Sequence, residues 1–365
     1  MECGANTEKF FISDFSIGHR GAALQFPEHT EISYRAAARM GAGIIECDVT
    51  FTMDKELVCR HSQCDLHTTT DVVTRPELNA KCTTPWSPGV APRCCASDFT
   101  LEEIKTLCAK MDSANDIGAE TAEGYAFGGT ADFRTDLYQT ECESVLTHKE
   151  SIEIILSVGA KFTPELKEPA VEMPFDGFTQ ADFAQKLIDE LVEYNVPPAN
   201  VWQQSAVEAD IRYWIENTDY GDQAVALDFG DSRPRSEDYD WLLAVQATGA
   251  KYVAPPMWKL VEANPAAGDA GELDMVASEM AIAAKDLGFE IVTWTLDRTG
   301  VSLGSMSPAY YWQTLMGQGL GLTEGSRFEL LYVLDKKVGI RGIFDDWPAV
   351  TTFYANCMSK LLRVN

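Results

Sequence analysis

Two carboxylates, Glu46 and Asp48, interrupt the otherwise apolar start of the stretch "GIIECDVTFTMDKELVCRH", Gly43 to His61. Side chains of a strand alternate faces, so residues at i and i+2 share a side about 6–7 Å apart. On a buried face, two like charges cost several kcal/mol unless something positive lies between them. The plainer explanation is an exposed edge strand with solvated acids. A third acid, Glu165 in "FTPELKEP", again stands two residues from a charge, here Lys167. Three carboxylates suit one hard divalent cation, Mg2+ or Ca2+. "IGHRG" adds His19 and Arg20, and the first stretch ends at His61. Arg20 and Lys167 could hold an anion, the arginine suiting two-point contact with phosphate. Two histidines beside a phosphate can exchange protons near neutral pH, and a metal would polarise the phosphoryl oxygens.

Each residue alone has a duller explanation. A lone His19 is ordinarily a hydrogen-bonded structural histidine, Glu165 and Lys167 could be a strand-edge ion pair, and His29 and His67 read as structural or supporting. The set weighs more than its members. The chain has 5 histidines, four of them before Thr68, and every charged pair ends a predicted strand on one rim.

That rim belongs to a regular alternation. Short apolar runs occur at Ile17–His19, Gly43–Val49, Lys161–Leu166, Val201–Gln204, Ala224–Phe229, Tyr252–Pro255, Glu290–Thr295 and Ile340–Phe344. Amphipathic segments separate them. In "TQADFAQKLIDELVEYN", Phe183, Leu187, Ile188, Leu191 and Val192 form a stripe at helical spacing. "SEDYDWLLAVQATG" opens on a possible N-cap, Ser236, and closes on Gly249, and "DMVASEMAIAAKDLG" repeats the scheme. Eight strands alternating with helices predict a TIM (β/α)8 barrel, whose active sites lie at the carboxyl ends of the strands. The rival open doubly wound sheet lacks its Gly-x-Gly-x-x-Gly turn. Glu56–Arg60 follows the second strand too closely for a crossover and reads as its hairpin partner. The expected organisation is a single domain, 1–365, with a loop-rich, Cys-rich insertion at 62–147 and a smaller one at 298–328. The first insertion holds one short helix near Leu101–Met111.

Composition narrows the partners. A formal charge of −27 over 365 residues argues against nucleic acid, which needs a basic stripe, and against anionic lipid surfaces. No run of 18 apolar residues exists to span a membrane. Of the 10 cysteines, Cys59, Cys64, Cys82, Cys94, Cys95, Cys108 and Cys142 fall in one quarter of the chain without Cys-x2-Cys spacing. Disulfides in an oxidising compartment fit better than zinc, with adjacent Cys94 and Cys95 bonded to different partners. The start "MECGANTEKFF" carries no signal-peptide pattern, so an extracellular protein is expected with its signal already removed.

These residues resemble the signature of the glycerophosphodiester phosphodiesterase family. The likeness rests on "HRG" at His19–Gly21, "PEHT" at Pro27–Thr30, "ECDV" at Glu46–Val49, "DKELVCRH" ending at His61, "ELK" at Glu165–Lys167, "VTWTLD" at Val292–Asp297 and "GIFDDWP" at Gly342–Pro348. "HRG" alone is weak, but the ordered set is specific and covers nearly the whole barrel. The long cysteine-bearing insertion is similar to that of secreted fungal members. The resemblance implies hydrolysis of a small-molecule glycerophosphodiester to an alcohol and sn-glycerol 3-phosphate, using one divalent cation. On the matching positions Glu46, Asp48 and Glu165 would be metal ligands, and His19 and His61 the acid/base pair. Arg20 and Lys167 would contact phosphate, and Trp294 would wall the glycerol carbons. The family's reaction can pass through a cyclic phosphate that water opens. Two departures stand out: Ser62 occupies the position after the second histidine where the family usually has Asp, and His67 a position where a basic residue is common. His29 stands where Asn is usual. The rivals are a phospholipase D-like or phosphatidylinositol-cleaving enzyme on the same barrel, and a non-catalytic binding protein that keeps the fold.

Overall fold

The computed structural model describes residues 10–114, 118–131, 133–134, 142–229, 233–268, 273–299, 311–321 and 323–358. Eight parallel strands form the barrel: β1 (Ser13–Gly18), β2 (Ala42–Phe51), β4 (Lys161–Leu166), β5 (Gln204–Ser205), β6 (Val225–Leu227), β7 (Tyr252–Ala254), β8 (Glu290–Leu296) and β9 (Gly342–Asp345). The hydrogen-bonded order is β1-β9-β8-β7-β6-β5-β4-β2, and a β1–β2 pairing closes it. The remaining strand, β3 (Leu57–Cys59), is the antiparallel hairpin partner of β2, with Val49 opposite Cys59 and Phe51 opposite Leu57. This is the expected TIM (β/α)8 barrel. All ten residues of β2 are buried, which excludes the solvated edge strand for Glu46 and Asp48.

The chain packs as two compact units, Met1–His19 with Ala37–Ile44 and Gln204–Asn365, and Arg20–Ala36 with Ile45–Gln203. In the second unit, α1 (His148–Val158) starts on a Thr147–Glu150 capping box and stops at Gly159, whose φ of 72° a side chain would strain. A Thr179–Asp182 box opens α2 (Gln180–Glu193), which buries Phe183, Leu187, Ile188 and Leu191. Val192, expected on that stripe, is 55% exposed, because the buried arc ends one position earlier. In the first unit a 3-10 turn at Arg235–Glu237 precedes the helix Asp238–Gln246, so Ser236 lies inside the turn and caps nothing. Ser278 does cap its helix, accepting the Ala281 N–H.

After His61 the chain makes short helices and turns around a core of its own that includes Leu66, Val72, Phe99, Ile104 and Leu107. The helix expected to reach Met111 ends at Ile104, because Cys108–Ala109 is recruited as a strand against Glu143–Ser144. Cys64–Cys95, Cys82–Cys94 and Cys108–Cys142 staple this stretch, so the adjacent cysteines do take different partners. Cys59, grouped in sequence with these, pairs instead with Cys47 on β2. Much of the smaller stretch at 298–328 lies outside the described residues.

Candidate active site

The turn after β1 sets the direction of Arg20. Arg20 and Gly21 both take positive φ, 54° and 93°. A Cβ on Gly21 would come within 2.4 Å of Ser33 Oγ, so only glycine fits. The reversal aims the Arg20 N–H at Glu46 Oε2, 3.0 Å away. The Arg20 guanidinium donates to Glu28 Oε2 at 2.7 Å and lies 3.2 Å from Asp48 Oδ2.

Alternation along β2 puts Glu46 and Asp48 on one side, and Glu165 comes from β4. One oxygen of each lies within 4.8 Å of the others, and all three residues are buried. Lys167 Nζ donates to Glu165 Oε1, and the Lys167 N–H is hydrogen-bonded to Val49 O at 3.1 Å. Asp48 Oδ2 also accepts from His29 Nε2 at 3.0 Å, while His29 Nδ1 lies 3.1 Å from the Tyr34 hydroxyl. Burial lowers the His29 pKa and raises that of Tyr34. A neutral His29 therefore donates from Nε2 to the carboxylate and accepts the Tyr34 O–H at Nδ1.

The three acids are driven apart in pKa. Burial, then the charges of Asp48 and Glu165, raises Glu46 well above the carboxylate range. Burial also raises Glu165, to about 7, against the pull of Lys167. Asp48 goes the other way: burial pushes it up, but Lys167, the His29 hydrogen bond, Arg20 and His61 together hold it well below the usual range. Without a cation the trio therefore retains protons near neutral pH. Asp48 Oδ1, shut off from solvent, has no hydrogen-bond partner among the described residues. An oxygen-only donor set with one buried carboxylate oxygen unclaimed fits a hard divalent cation. The trio could hold a metal ion.

The other anticipated residues lie as follows. His61 follows β3, half-buried, and its charge acts on Asp48. His19, at the end of β1, presents Nδ1 to Asp346, whose other carboxylate oxygen takes Arg298 Nη1 at 3.1 Å. Trp294 on β8 is buried, donates Nε1–H to Ala254 O at 2.9 Å, and packs edge-on against Trp258 and Tyr311. Sequence reasoning missed Asp346 and Glu28, and left His29 in a supporting role without a partner. The paired acids of "FDDWP" at a strand end were the available signal: Asp345 turns to the Trp347 N–H and Thr351, while Asp346 faces His19.

The protein is thus a parallel α/β barrel that carries a buried carboxylate trio among fixed cations, with charged residues at the strand ends where such barrels place their active sites. Residues 19–320 match the Glycerophosphoryl diester phosphodiesterase family, and the chain belongs to it as a glycerophosphodiester phosphodiesterase. A relative from Arthroderma benhamiae named "Extracellular protein" is 36% identical over 254 residues, 68% of this chain and 100% of the relative. A glycerophosphodiester phosphodiesterase of Arabidopsis thaliana is 36% identical over 98 residues, 27% of this chain and 26% of that protein. Among solved structures, an Oleispira antarctica phosphodiesterase in complex with its product sn-glycerol-3-phosphate superposes with a TM-score of 0.54 at 15% identity, covering 93% of this chain and 96% of that one.

Proposed function

We propose that the protein hydrolyses glycerophosphodiesters to an alcohol and sn-glycerol 3-phosphate in a divalent-cation-dependent reaction. The observation that carries this reading is the convergence of Glu46, Asp48 and Glu165 beside Lys167 and Arg20, with Asp48 Oδ1 unclaimed. Glu46, Asp48 and Glu165 would hold the cation, Mg2+ or Ca2+, which when bound supplies charge neutralisation at the phosphoryl oxygens. Arg20 and Lys167 attract the phosphodiester monoanion against an overall charge of −27 and orient it. His19, its Nδ1 held by Asp346, is one member of the proton-exchanging pair. His61 serves as the opposite member of the pair. One histidine takes the proton from the attacking glycerol hydroxyl and the other delivers one to the leaving alcohol. The cyclic phosphate so formed is opened by water with the roles reversed. Trp294 offers an apolar face to the glycerol carbons.

Disulfides inside the chain and the name of the Arthroderma benhamiae relative support an extracellular location. No described helix is long and apolar enough to cross a membrane.

The test is release of glycerol 3-phosphate from glycerophosphocholine and its ethanolamine, inositol and glycerol counterparts, with and without chelator. Activity that survives exhaustive chelation sinks the cation requirement. Activity on phospholipid vesicles and none on the water-soluble diesters points instead to a lipid-cleaving enzyme.

A further inference from the structure

His61 is carried on a short segment whose neighbours are individually pinned. On one side, the Arg60 N–H donates to Asp48 O at 2.8 Å. On the other, the Gln63 side chain pairs with the Phe51 backbone, Nε2 to O at 2.7 Å and N–H to Oε1 at 3.4 Å, and Cys64 is bonded to Cys95. Between these anchors Ser62 donates its N–H to Asp65 Oδ2 at 2.9 Å. The carbonyl of Asp65 then accepts from the N–H groups and hydroxyls of Thr68 and Thr69, which fixes Asp65 to the turn that follows.

Arg60 is fully buried, and none of its three side-chain nitrogens has a hydrogen-bond partner among the described residues. A buried guanidinium needs opposite charge. Asp65 contributes most of it, followed by Glu28 and the Tyr34 oxygen. Part of Asp65 reaches the surface, but its Oδ1 is shut off from solvent and unpartnered among the described residues. Burial pushes the Asp65 pKa up to about 7, Arg60 pulls it down, and Glu28 opposes Arg60.

We propose that Asp65 is a positioning residue for His61: held in place beside the buried Arg60, its carboxylate tethers Ser62 and so sets the backbone that aims the imidazole. This assigns to a residue three positions further on the work of fixing the loop where Ser62 stands in place of the family's usual Asp. The inference rests on the proposed acid/base role of His61, and it makes a demand of its own. The tether, rather than the charge pair, must govern kcat.

Two double variants separate these. Asp65→Asn/Arg60→Met removes both charges and keeps an amide oxygen for Ser62. Asp65→Ala/Arg60→Met removes both charges and the acceptor. Neither leaves a lone buried charge, and matching Tm values establish equal folding. With a glycerophosphodiester substrate, the Ala variant should lose about tenfold or more in kcat with KM held within about twofold, while the Asn variant stays within about threefold of wild type. In the chelated protein, the His61 imidazole resonance, identified among 5 histidines by its loss in His61→Ala, should shift or broaden only in the Ala variant. Equal kcat losses in the two variants, or an unchanged His61 resonance in the Ala variant, overturns the assignment. Wild-type protein that hydrolyses none of the diesters would instead overturn the functional reading, and the resonance comparison still decides the tether.

Discussion

Cys47 stands between Glu46 and Asp48 on β2 and is bonded to Cys59, two residues before His61. The covalent bridge thus joins the strand that carries Glu46 and Asp48 to the strand that leads to the half-buried His61. A bond closing a loop of 12 residues constrains the unfolded chain by roughly 3 kcal/mol. The Cys47→Ser/Cys59→Ser variant should lose about that much in guanidinium unfolding, and kcat should fall because β2 and β3 can shift in register. Unfolding curves that superimpose on those of the wild type would show the bridge to be dispensable.

The contact between His19 and Asp346 carries a second expectation. A carboxylate on Nδ1 fixes the imidazole tautomer and stabilises the protonated ring. Arg298 holds the same carboxylate from its other oxygen. His19→Ala and His61→Ala should each lower kcat by roughly 10²-fold or more. Asp346→Asn, which keeps the shape and loses the charge, should lower kcat while KM for glycerophosphocholine changes little. A variant affected only in KM would place Asp346 outside proton transfer.

The framework of the site was legible because period-two apolar runs and charged strand ends are local signals. "IIECDV" and "FTPEL" mark β2 and β4, but their acids read as a group only once the eight-strand alternation sets those strand ends on one rim. What was illegible depends on distant segments. Nothing local says that Glu28 reaches Arg20, that Asp346 meets His19 across more than 300 residues, or that Cys59 selects Cys47 over the nearer Cys64. Val192 and Ser236 failed for a different reason: stripe edges and helix starts shift by a residue or two when a neighbouring turn supplies the cap.

Cation binding should be coupled to pH through the same three acids. The raised pKa values of Glu46 and Glu165, unlike the lowered one of Asp48, mean that the folded, chelated protein holds protons that the unfolded chain releases. Stability present below the ordinary carboxylate pKa is therefore lost as pH rises, for Glu165 over the window from about 4.5 to about 7. A divalent cation held by the trio would take the place of those protons. The gain in Tm on adding Ca2+ or Mg2+ should be small at pH 5 and large at pH 8, where saturation at 100 times Kd is worth about 2.7 kcal/mol. Glu46→Gln should raise the Tm of the chelated protein, by relieving repulsion, and should reduce the gain on adding cation. A cation-induced shift that is equal at both pH values, or is undiminished in Glu46→Gln, would remove Glu46 and its neighbours as ligands.

Asp297, just beyond β8, offers a second pH test. It is 6% exposed, and its Oδ2 has no hydrogen-bond partner among the described residues. Burial raises its pKa to about 6; Arg327, whose Nε lies 3.1 Å from Oδ1, pulls down, and Asp346 and Glu324 push up. The folded state thus binds a proton that the unfolded state has shed, so stability falls as pH rises from about 4 to about 6. The whole effect is of the order of 3 kcal/mol at most. Asp297→Asn removes the ionisation and suits the residue's φ of 58°, a region that Asn tolerates. Guanidinium unfolding at pH 4 and pH 7 should show the variant gaining on wild type as pH rises, by up to that amount. Parallel pH dependences would mean that Arg327 neutralises the carboxylate fully and that its burial costs nothing.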